Sequence, residues 1–173
     1  DNREGGITTR ADRVHTGGSA GLDLNGENML AGIWDGGLVR TTHTLLSGRV
    51  TQIDGASTIS NHATHVSGTM IGSGAPVSGA AKGMAPQAEL ISYSFANDTS
   101  EMTAAAADGL LVSNHSYGFS ADNNLLWFMG YYDSSARDVD RITYDAPFYL
   151  PVKSAGNARS SGENPGDGGY DYL

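Results

Sequence analysis

Asp35 and His62 are the two residues of this sequence whose types and positions could carry out hydrolytic chemistry together. Asp35 follows the apolar run 29–34, so it stands where a buried strand would end. His62 lies in residues 60–69, a segment of small and β-branched side chains that can open a helix. An acid that orients a histidine, and a histidine that accepts a hydroxyl proton, are two members of a hydrolytic triad. The nucleophile has to be sought elsewhere in the chain.

Asn157 offers a further group that this chemistry needs, a hydrogen-bond donor for the charge that develops on the reacting carbonyl oxygen. An amide donor of this kind contributes roughly 3–4 kcal/mol to stabilising the transition state. Gly156, directly before it, permits close approach of a substrate backbone. Asp35, residues 114–118 and residues 156–157 all fall at the carboxyl ends of predicted strands, where parallel sheets bind their ligands. We therefore expect these residues to converge at one edge of a sheet.

The elements that must position these residues alternate between strands and helices. Short apolar runs predict strands at residues 28–34, 50–53, 89–95, 110–114 and 148–153. Helices are predicted at residues 62–71, 100–108 and 133–146, the second with Ser100 as its N-cap. This alternation implies right-handed crossovers and an α/β fold, in which a parallel sheet is covered by helices on both faces.

The length of 173 residues fits a single domain. We expect an N-terminal arm at residues 1–27, an α/β core at 28–157 and a loop at 158–173. The arm is polar and rich in glycine, so at most a short helix is expected near residues 9–14. The chain begins at Asp1 rather than Met, and its start is expected to be processed or engineered.

The composition argues against several classes of function. A net charge of −9 disfavours nucleic acid or an anionic membrane as a partner. The absence of cysteine excludes disulfides, thiol catalysis and cysteine-based zinc sites. No apolar stretch approaches the ~20 residues needed to span a bilayer.

Five segments of the chain, in order, resemble motifs of the subtilisin-like serine proteases, the subtilases. Residues 33–37, Ile-Trp-Asp-Gly-Gly, resemble the acid motif, and residues 62–69, His-Ala-Thr-His-Val-Ser-Gly-Thr, resemble the histidine motif. Residues 82–86, Lys-Gly-Met-Ala-Pro, match the Gly-x-Ala-Pro turn of the family. Residues 113–118, Ser-Asn-His-Ser-Tyr-Gly, are similar to its substrate-binding strand, and residues 153–157, Lys-Ser-Ala-Gly-Asn, to the strand end with the oxyanion asparagine. Together these motifs are highly specific for the family.

The resemblance implies a role for each matched residue. Asp35 would orient the histidine, His62 would act as general base and then acid, and Asn157 would stabilise the oxyanion. Two segments would bind the substrate: a strand that pairs with its backbone, and a wall of the P1 pocket. These segments are Ser116, Tyr117 and Gly118, and Ser154, Ala155 and Gly156. The implied protein is a secreted endopeptidase that hydrolyses polypeptides through an acyl-enzyme.

The chain departs from the family pattern in three places. Ala63 stands where the family has glycine, and alanine is the residue that a helix favours. Gly36 stands where serine or threonine is usual, so one hydrogen bond near Asp35 is expected to be missing. The Gly-Thr-Ser-Met-Ala-x-Pro motif of the nucleophile is absent. We therefore expect an incomplete subtilisin-like fold that is inactive alone, has exposed apolar strand faces, and needs the C-terminal remainder of the protease domain as a partner.

Two other functions are open. A catalytically inactive subtilase-like module used for binding or assembly would carry the same motifs without a nucleophile. Ser19 lies in Gly-Gly-Ser-Ala-Gly at residues 17–21, which formally fits the nucleophile elbow of an esterase. That elbow needs a strand before it and a helix after it, and the sequence predicts neither.

The other histidines are assigned no chemistry. His65 is expected to be buried and hydrogen-bonded within its helix, while His15, His43 and His115 are expected on the surface or in loops. Zinc binding by His62 and His65 would need a third ligand, and no glutamate stands at the spacing of the known zinc-binding helices.

No metal is assigned either. The tail carboxylates Glu163, Asp167 and Asp171 do not match the spacing of a calcium-binding EF-hand loop, and a solvated loop is expected there. The proposed chemistry requires no cofactor, and a structural calcium ion is left open.

Overall fold

The computed structural model describes residues 2–119 and 130–157 of the chain. The strands are β1 (Leu30–Asp35), β2 (Val50–Gln52), β3 (Glu89–Ser94), β4 (Val112–His115) and β5 (Leu150–Lys153). The helices are α1 (Asn2–Thr9), α2 (Ala11–Val14), α3 (Asn61–Ile71), α4 (Asp98–Ala107) and α5 (Ser134–Asp145), with short 3-10 turns at Ala75–Val77 and Phe95–Asn97. None of the helices in these ranges is long and apolar enough to cross a membrane.

The five strands form one parallel sheet in the order β2-β3-β1-β4-β5. In the register of this sheet Asp35 lies opposite Ser94, and Trp34 lies opposite His115. His115 in turn lies opposite Lys153 of β5. The carboxyl ends of β1, β4 and β5 therefore meet at one edge, as the predicted parallel sheet requires.

Alternating side chains of β1 build a separate core on each face of the sheet. Ile33 is fully buried against Ala63 and other residues of the α3 side. Its neighbour Trp34, on the opposite face, is fully buried with Met102 of α4 and Ile142 of α5. Helices therefore cover both faces, and the predicted α/β class is confirmed.

Helix α3 begins close to the sheet edge because Ser60 caps it. The Ser60 hydroxyl accepts a hydrogen bond from the backbone N–H of Ala63 at 3.0 Å. A cap of this kind stabilises a helix by about 1 kcal/mol. The buried residues of α3 are Ala63, Ser67 and Ile71, spaced four apart along the face that packs on the sheet. His62 consequently lies in the first turn, beside that face.

The N-terminal arm is more helical than predicted. Two consecutive glycines in α1 disfavour a helix, but Asn2 anchors the start of α1 to the rest of the fold. Its side-chain amide donates to the backbone carbonyl of Gly68 at 3.2 Å and lies 3.4 Å from that of Ala81. Its side-chain oxygen accepts from the Thr69 hydroxyl at 3.2 Å. Tertiary contacts thus outweigh the local preference.

The prediction that Ser100 caps α4 is wrong. Helix α4 begins at Asp98, directly after the 3-10 turn, and Asn97 occupies the N-cap position. The Ser100 hydroxyl lies within the first turn and donates to the carbonyl of Asn97 at 2.9 Å. The other predicted helices and strands are present with ends shifted by one or two residues, as is usual for terminal turns.

Strand β5 forms one edge of the described sheet and exposes apolar side chains. Leu150 is 61% exposed and Val152 is 47% exposed, while Phe148 just before the strand is 85% exposed. Its other side is paired with β4 along four residue positions. Strand β5 is therefore the least covered strand of the sheet.

Candidate active site

Asp35 is the last residue of β1 and is almost completely buried, with 2% exposure. Its Oδ1 atom accepts a hydrogen bond from the backbone N–H of Gly36 at 2.7 Å. Gly36 lacks the hydroxyl side chain that is usual at this position in the family whose motifs the sequence resembles, but its backbone N–H still donates to the carboxylate. The carboxylate is thus held in place from its own turn.

His62 meets this carboxylate through Nδ1. The Nδ1 atom lies 2.7 Å from Asp35 Oδ2 and 2.9 Å from Oδ1, so the ring N–H donates to the carboxylate. The His62 side chain is 59% exposed, whereas that of Asp35 is 3% exposed. With its proton on Nδ1, a neutral imidazole presents a lone pair at Nε2. A buried acid and an accessible base therefore share one hydrogen bond, the arrangement needed for proton abstraction.

The loop after β1 brings the start of α3 to Asp35. Leu38 donates its N–H to the carbonyl of Thr58 at 2.9 Å and accepts from the N–H of Ser60 at 2.9 Å. Gly37 makes this approach possible, because its φ is 147° and a Cβ atom there would lie 2.6 Å from the Thr58 carbonyl oxygen. A glycine is therefore required where the two segments cross.

Ser116, Tyr117 and Gly118 continue from β4 at the same edge. The Ser116 hydroxyl accepts from the side-chain amide of Asn114 at 2.9 Å. The Tyr117 ring lies beside Phe95, with centroids 4.9 Å apart, and the Lys153 ammonium lies 3.6 Å from its centroid. Tyr117 is thus held by packing as well as by hydrogen bonds, whereas Gly118 is exposed.

A hydrogen-bonded network, most of it buried, extends from Tyr117 into the fold behind this segment. His115 Nδ1 lies 3.0 Å from the Tyr117 hydroxyl, which donates to Asp98 Oδ2 at 2.7 Å. His115 Nε2 lies 2.7 Å from the Ser113 hydroxyl, which lies 2.6 Å from the Tyr149 hydroxyl. A signal was available, because residues 113, 115 and 117 share one face of an extended segment. The sequence holds no signal that Asp98 and Tyr149 approach that face.

The prediction that His115 lies on the surface or in a loop is wrong. It is 2% exposed, and its ring stacks on Trp34 with centroids 5.1 Å apart. Burial, reinforced by the positive charge of Lys153, lowers the pKa of His115 to about 4 from an ordinary 6.5. His115 is therefore neutral at physiological pH.

Residues 154–157 leave β5 next to Tyr117. The Ser154 N–H still pairs with the carbonyl of His115 at 3.2 Å, after which the chain turns away. Gly156 has a φ of 94°, a conformation that glycine adopts without strain. Ser154, Ala155, Gly156 and Asn157 are all exposed. The structure thus joins Asp35 to His62 directly and places Asn157 beyond a strand end of the same edge, with no hydrogen bond to either of them within the described residues.

His65 occupies an environment opposite to that predicted, whereas His15 lies in the bend after α2, one of its predicted locations, but is buried there. His65 is exposed, because the buried face of α3 runs through positions 63, 67 and 71, and it lines a surface cavity of about 640 Å³ beside Arg40 and His43. His15 is 7% exposed, and its Nε2 donates to the carbonyl of Met84 at 2.8 Å. His43 is exposed, as predicted.

Two other sequence hypotheses concern Ser19 and bound metal. Ser19 lies in an exposed turn after α2, with no strand directly before it and no helix directly after it, so the geometry of a nucleophile elbow is not present there. Within residues 2–119 and 130–157, no group of three or more histidine or carboxylate side chains is placed to hold a metal ion. Glu163, Asp167 and Asp171 lie outside the described residues, as does the predicted loop at 158–173.

The chain matches one protein family in sequence and several solved structures in fold. The model of the Subtilase family, Peptidase_S8, matches residues 26–171. The self-cleaved protease domain of PatA is 24% identical with a TM-score of 0.57, and the match covers 78% of this chain and 52% of that one. A cold adapted subtilisin-like serine proteinase is 22% identical with a TM-score of 0.56, and the match covers 79% and 49%. MycP1 with its N-terminal propeptide removed is 17% identical with a TM-score of 0.59, and the match covers 88% and 49%.

These structural matches show a shared fold. The chain spans about half the length of each solved structure. No curated protein sequence matches it significantly.

Proposed function

Because this chain belongs to the subtilase family, we propose that it is the N-terminal portion of the catalytic domain of a serine endopeptidase. The observation that carries this proposal is the 2.7 Å hydrogen bond between His62 Nδ1 and the buried carboxylate of Asp35. It lies at the carboxyl end of the central strand β1, where parallel sheets bind their ligands.

In the proposed reaction, Nε2 of His62 takes the proton of a serine hydroxyl as its oxygen attacks the substrate carbonyl carbon. Asp35 keeps the ring oriented and stabilises the imidazolium that forms. The side-chain amide of Asn157 donates to the oxyanion, a contribution of roughly 3–4 kcal/mol. His62 then passes the proton to the leaving amine, and water hydrolyses the acyl-enzyme with the same histidine acting as base.

The proposed substrate is a polypeptide that lies between the ends of β4 and β5. Its backbone pairs with Ser116, Tyr117 and Gly118, and its P1 side chain lies against Ser154, Ala155 and Gly156. Two features support this placement: the two segments follow neighbouring parallel strands, and the second segment is exposed.

The proposed nucleophile is supplied by the C-terminal remainder of the protease domain, outside these 173 residues. The family resemblance supports this, since the Gly-Thr-Ser-Met-Ala-x-Pro motif is absent from the sequence. The exposed apolar residues of β5 support it as well, because an apolar sheet edge favours burial against further structure. We expect the 173-residue chain alone to be inactive, so hydrolysis of casein by the purified chain would contradict this part of the proposal.

The proposed enzyme is secreted and acts without a cofactor. A net charge of −9 and the absence of cysteine are compatible with export and unfavourable for binding nucleic acid or anionic membranes. A structural calcium ion is left open, and metal analysis of the purified protein tests for it.

The decisive experiment uses the complete protein that carries this chain. We expect it to react with a fluorophosphonate probe and to cleave peptides, and His62→Ala to abolish both reactions. His65→Ala is the matched control, since it removes an exposed imidazole from the same helix that does not contact Asp35. If the complete protein fails to react with the probe, the proposed protease function is wrong, and the inactive binding module becomes the better description.

A further inference from the structure

Tyr117 of the proposed substrate-binding segment and four polar groups behind it form one continuous chain of hydrogen bonds. It runs from the Tyr149 hydroxyl through Ser113, His115 and Tyr117 to the carboxylate of Asp98. Ser113 is 1% exposed, His115 2% and Tyr149 5%, so most of the chain is shielded from water. Buried polar groups that are fully paired make a rigid unit, because breaking any link leaves a group unsatisfied.

The chemistry of the groups determines the direction of every link. A carboxylate can only accept, so the Tyr117 hydroxyl donates to Asp98. The Tyr117 oxygen then accepts from His115 Nδ1–H, which makes Nε2 of the neutral ring an acceptor. Ser113 donates to that Nε2 and accepts from Tyr149. All four hydrogen bonds point towards Asp98, and aligned links of this kind strengthen one another.

The Tyr117 ring connects this chain to the neighbouring strand. One contact is with Phe95, and another is with the ammonium of Lys153, 3.6 Å from the ring centroid. Lys153 directly precedes Ser154, the first residue of the proposed P1 wall. The side chain of Tyr117 therefore links the two segments between which the substrate is proposed to lie.

We propose that Tyr117 and His115 are positioning residues, which hold residues 116–118 at the distance from residues 154–156 that an extended peptide needs. This inference rests on the proposed protease function. The functional reason is that a misplacement of about 1 Å in a binding segment can cost about 100-fold in rate. Tyr117 acts through the backbone of its own segment, and His115 acts through Tyr117.

The test compares two substrates in the complete protein. An extended peptide amide must pair with residues 116–118, whereas a small fluorophosphonate probe needs the triad and the oxyanion donor without that pairing. We expect Tyr117→Phe to lower kcat/KM for the peptide about 10- to 100-fold, and to leave the rate of probe labelling unchanged. Ser113→Ala interrupts the chain at a distance, and we expect the double variant to lose less than the product of the two single losses.

Tyr132→Phe is the matched control, since the Tyr132 hydroxyl donates to Asp140 at 2.6 Å on an exposed part of the surface. It removes a tyrosine–carboxylate hydrogen bond of the same kind, and it should alter neither kcat/KM for the peptide nor the rate of probe labelling. An unaltered peptide kcat/KM in Tyr117→Phe would overturn the inference and leave the proposed protease intact. Equal losses for peptide and probe would overturn it too, because they indicate a general disturbance. A complete protein that the probe never labels would overturn the protease proposal, and this inference with it.

Discussion

Replacing Asp35 with asparagine changes the atoms that hold His62 while keeping the size of the side chain. Asp35 accepts from both the Gly36 N–H at 2.7 Å and His62 Nδ1–H at 2.7 Å. Asparagine has one oxygen, and if Gly36 takes it, the amide NH2 faces Nδ1. The imidazole must then carry its proton on Nε2, and a protonated Nε2 cannot accept the proton of the serine hydroxyl.

The expected loss combines a wrong tautomer with the loss of the charge that stabilises the imidazolium. In triads of this kind the same change lowers kcat about 10⁴-fold, which is about 5 kcal/mol of transition-state stabilisation. The assay is kcat on a peptide substrate with the complete protein, together with a circular dichroism spectrum to confirm folding.

Asp54→Asn is the control for this experiment. Asp54 accepts from the Ser94 N–H at 2.7 Å and the Gln52 amide at 2.6 Å, and it does not contact His62. We expect its kcat to match that of the parent. If Asp35→Asn kept kcat within about tenfold of the parent, the contribution assigned to the Asp35–His62 pair would be refuted.

Three further predictions concern stability. Burial holds the pKa of His115 near 4 against an ordinary 6.5, so between these pH values the unfolded chain binds a proton that the folded chain excludes. Acidification from pH 6.5 to 4 should therefore lower the free energy of unfolding by up to about 3 kcal/mol more in the parent than in His115→Gln. Urea denaturation that shows the same loss in both proteins would contradict this. Ser60→Ala and Asp133→Ala remove the N-caps of α3 and α5, and each should lower the free energy of unfolding, measured with urea, by about 1 kcal/mol. Only Ser60→Ala should also lower kcat/KM. Equal kcat/KM values for the two variants would refute the link between the Ser60 cap and His62. Gly37→Ala should destabilise the fold by more than about 1 kcal/mol, because the added Cβ would meet the Thr58 carbonyl. Gly68→Ala adds a Cβ at an open helical position and should be neutral or stabilising by about 0.5–1 kcal/mol. A lower melting temperature for Gly68→Ala than for Gly37→Ala would contradict this.

The histidines show where prediction from the sequence ends. Motif spacing was enough to single out His62, and the fold places it against Asp35. The same sequence led to the wrong environment for His65 and for His115. Helical and strand periodicity gives relative positions within an element, but which side meets the core depends on how other elements pack against it.

Local sequence signals by themselves determined the alternation of strands and helices, the parallel sheet and the placement of Asp35 and the 154–157 segment at the carboxyl ends of strands. These properties follow from apolar runs, turn residues and crossover rules, all of which act over short stretches of chain. Tertiary structure alone decided that Asn2 anchors α1, a helix that contains two consecutive glycines. It also decided that Asp98 and Tyr149 complete a hydrogen-bonded network with His115 and Tyr117. The physical reason is that these contacts join residues far apart in sequence, and a buried polar group is stable only where the fold brings it a partner.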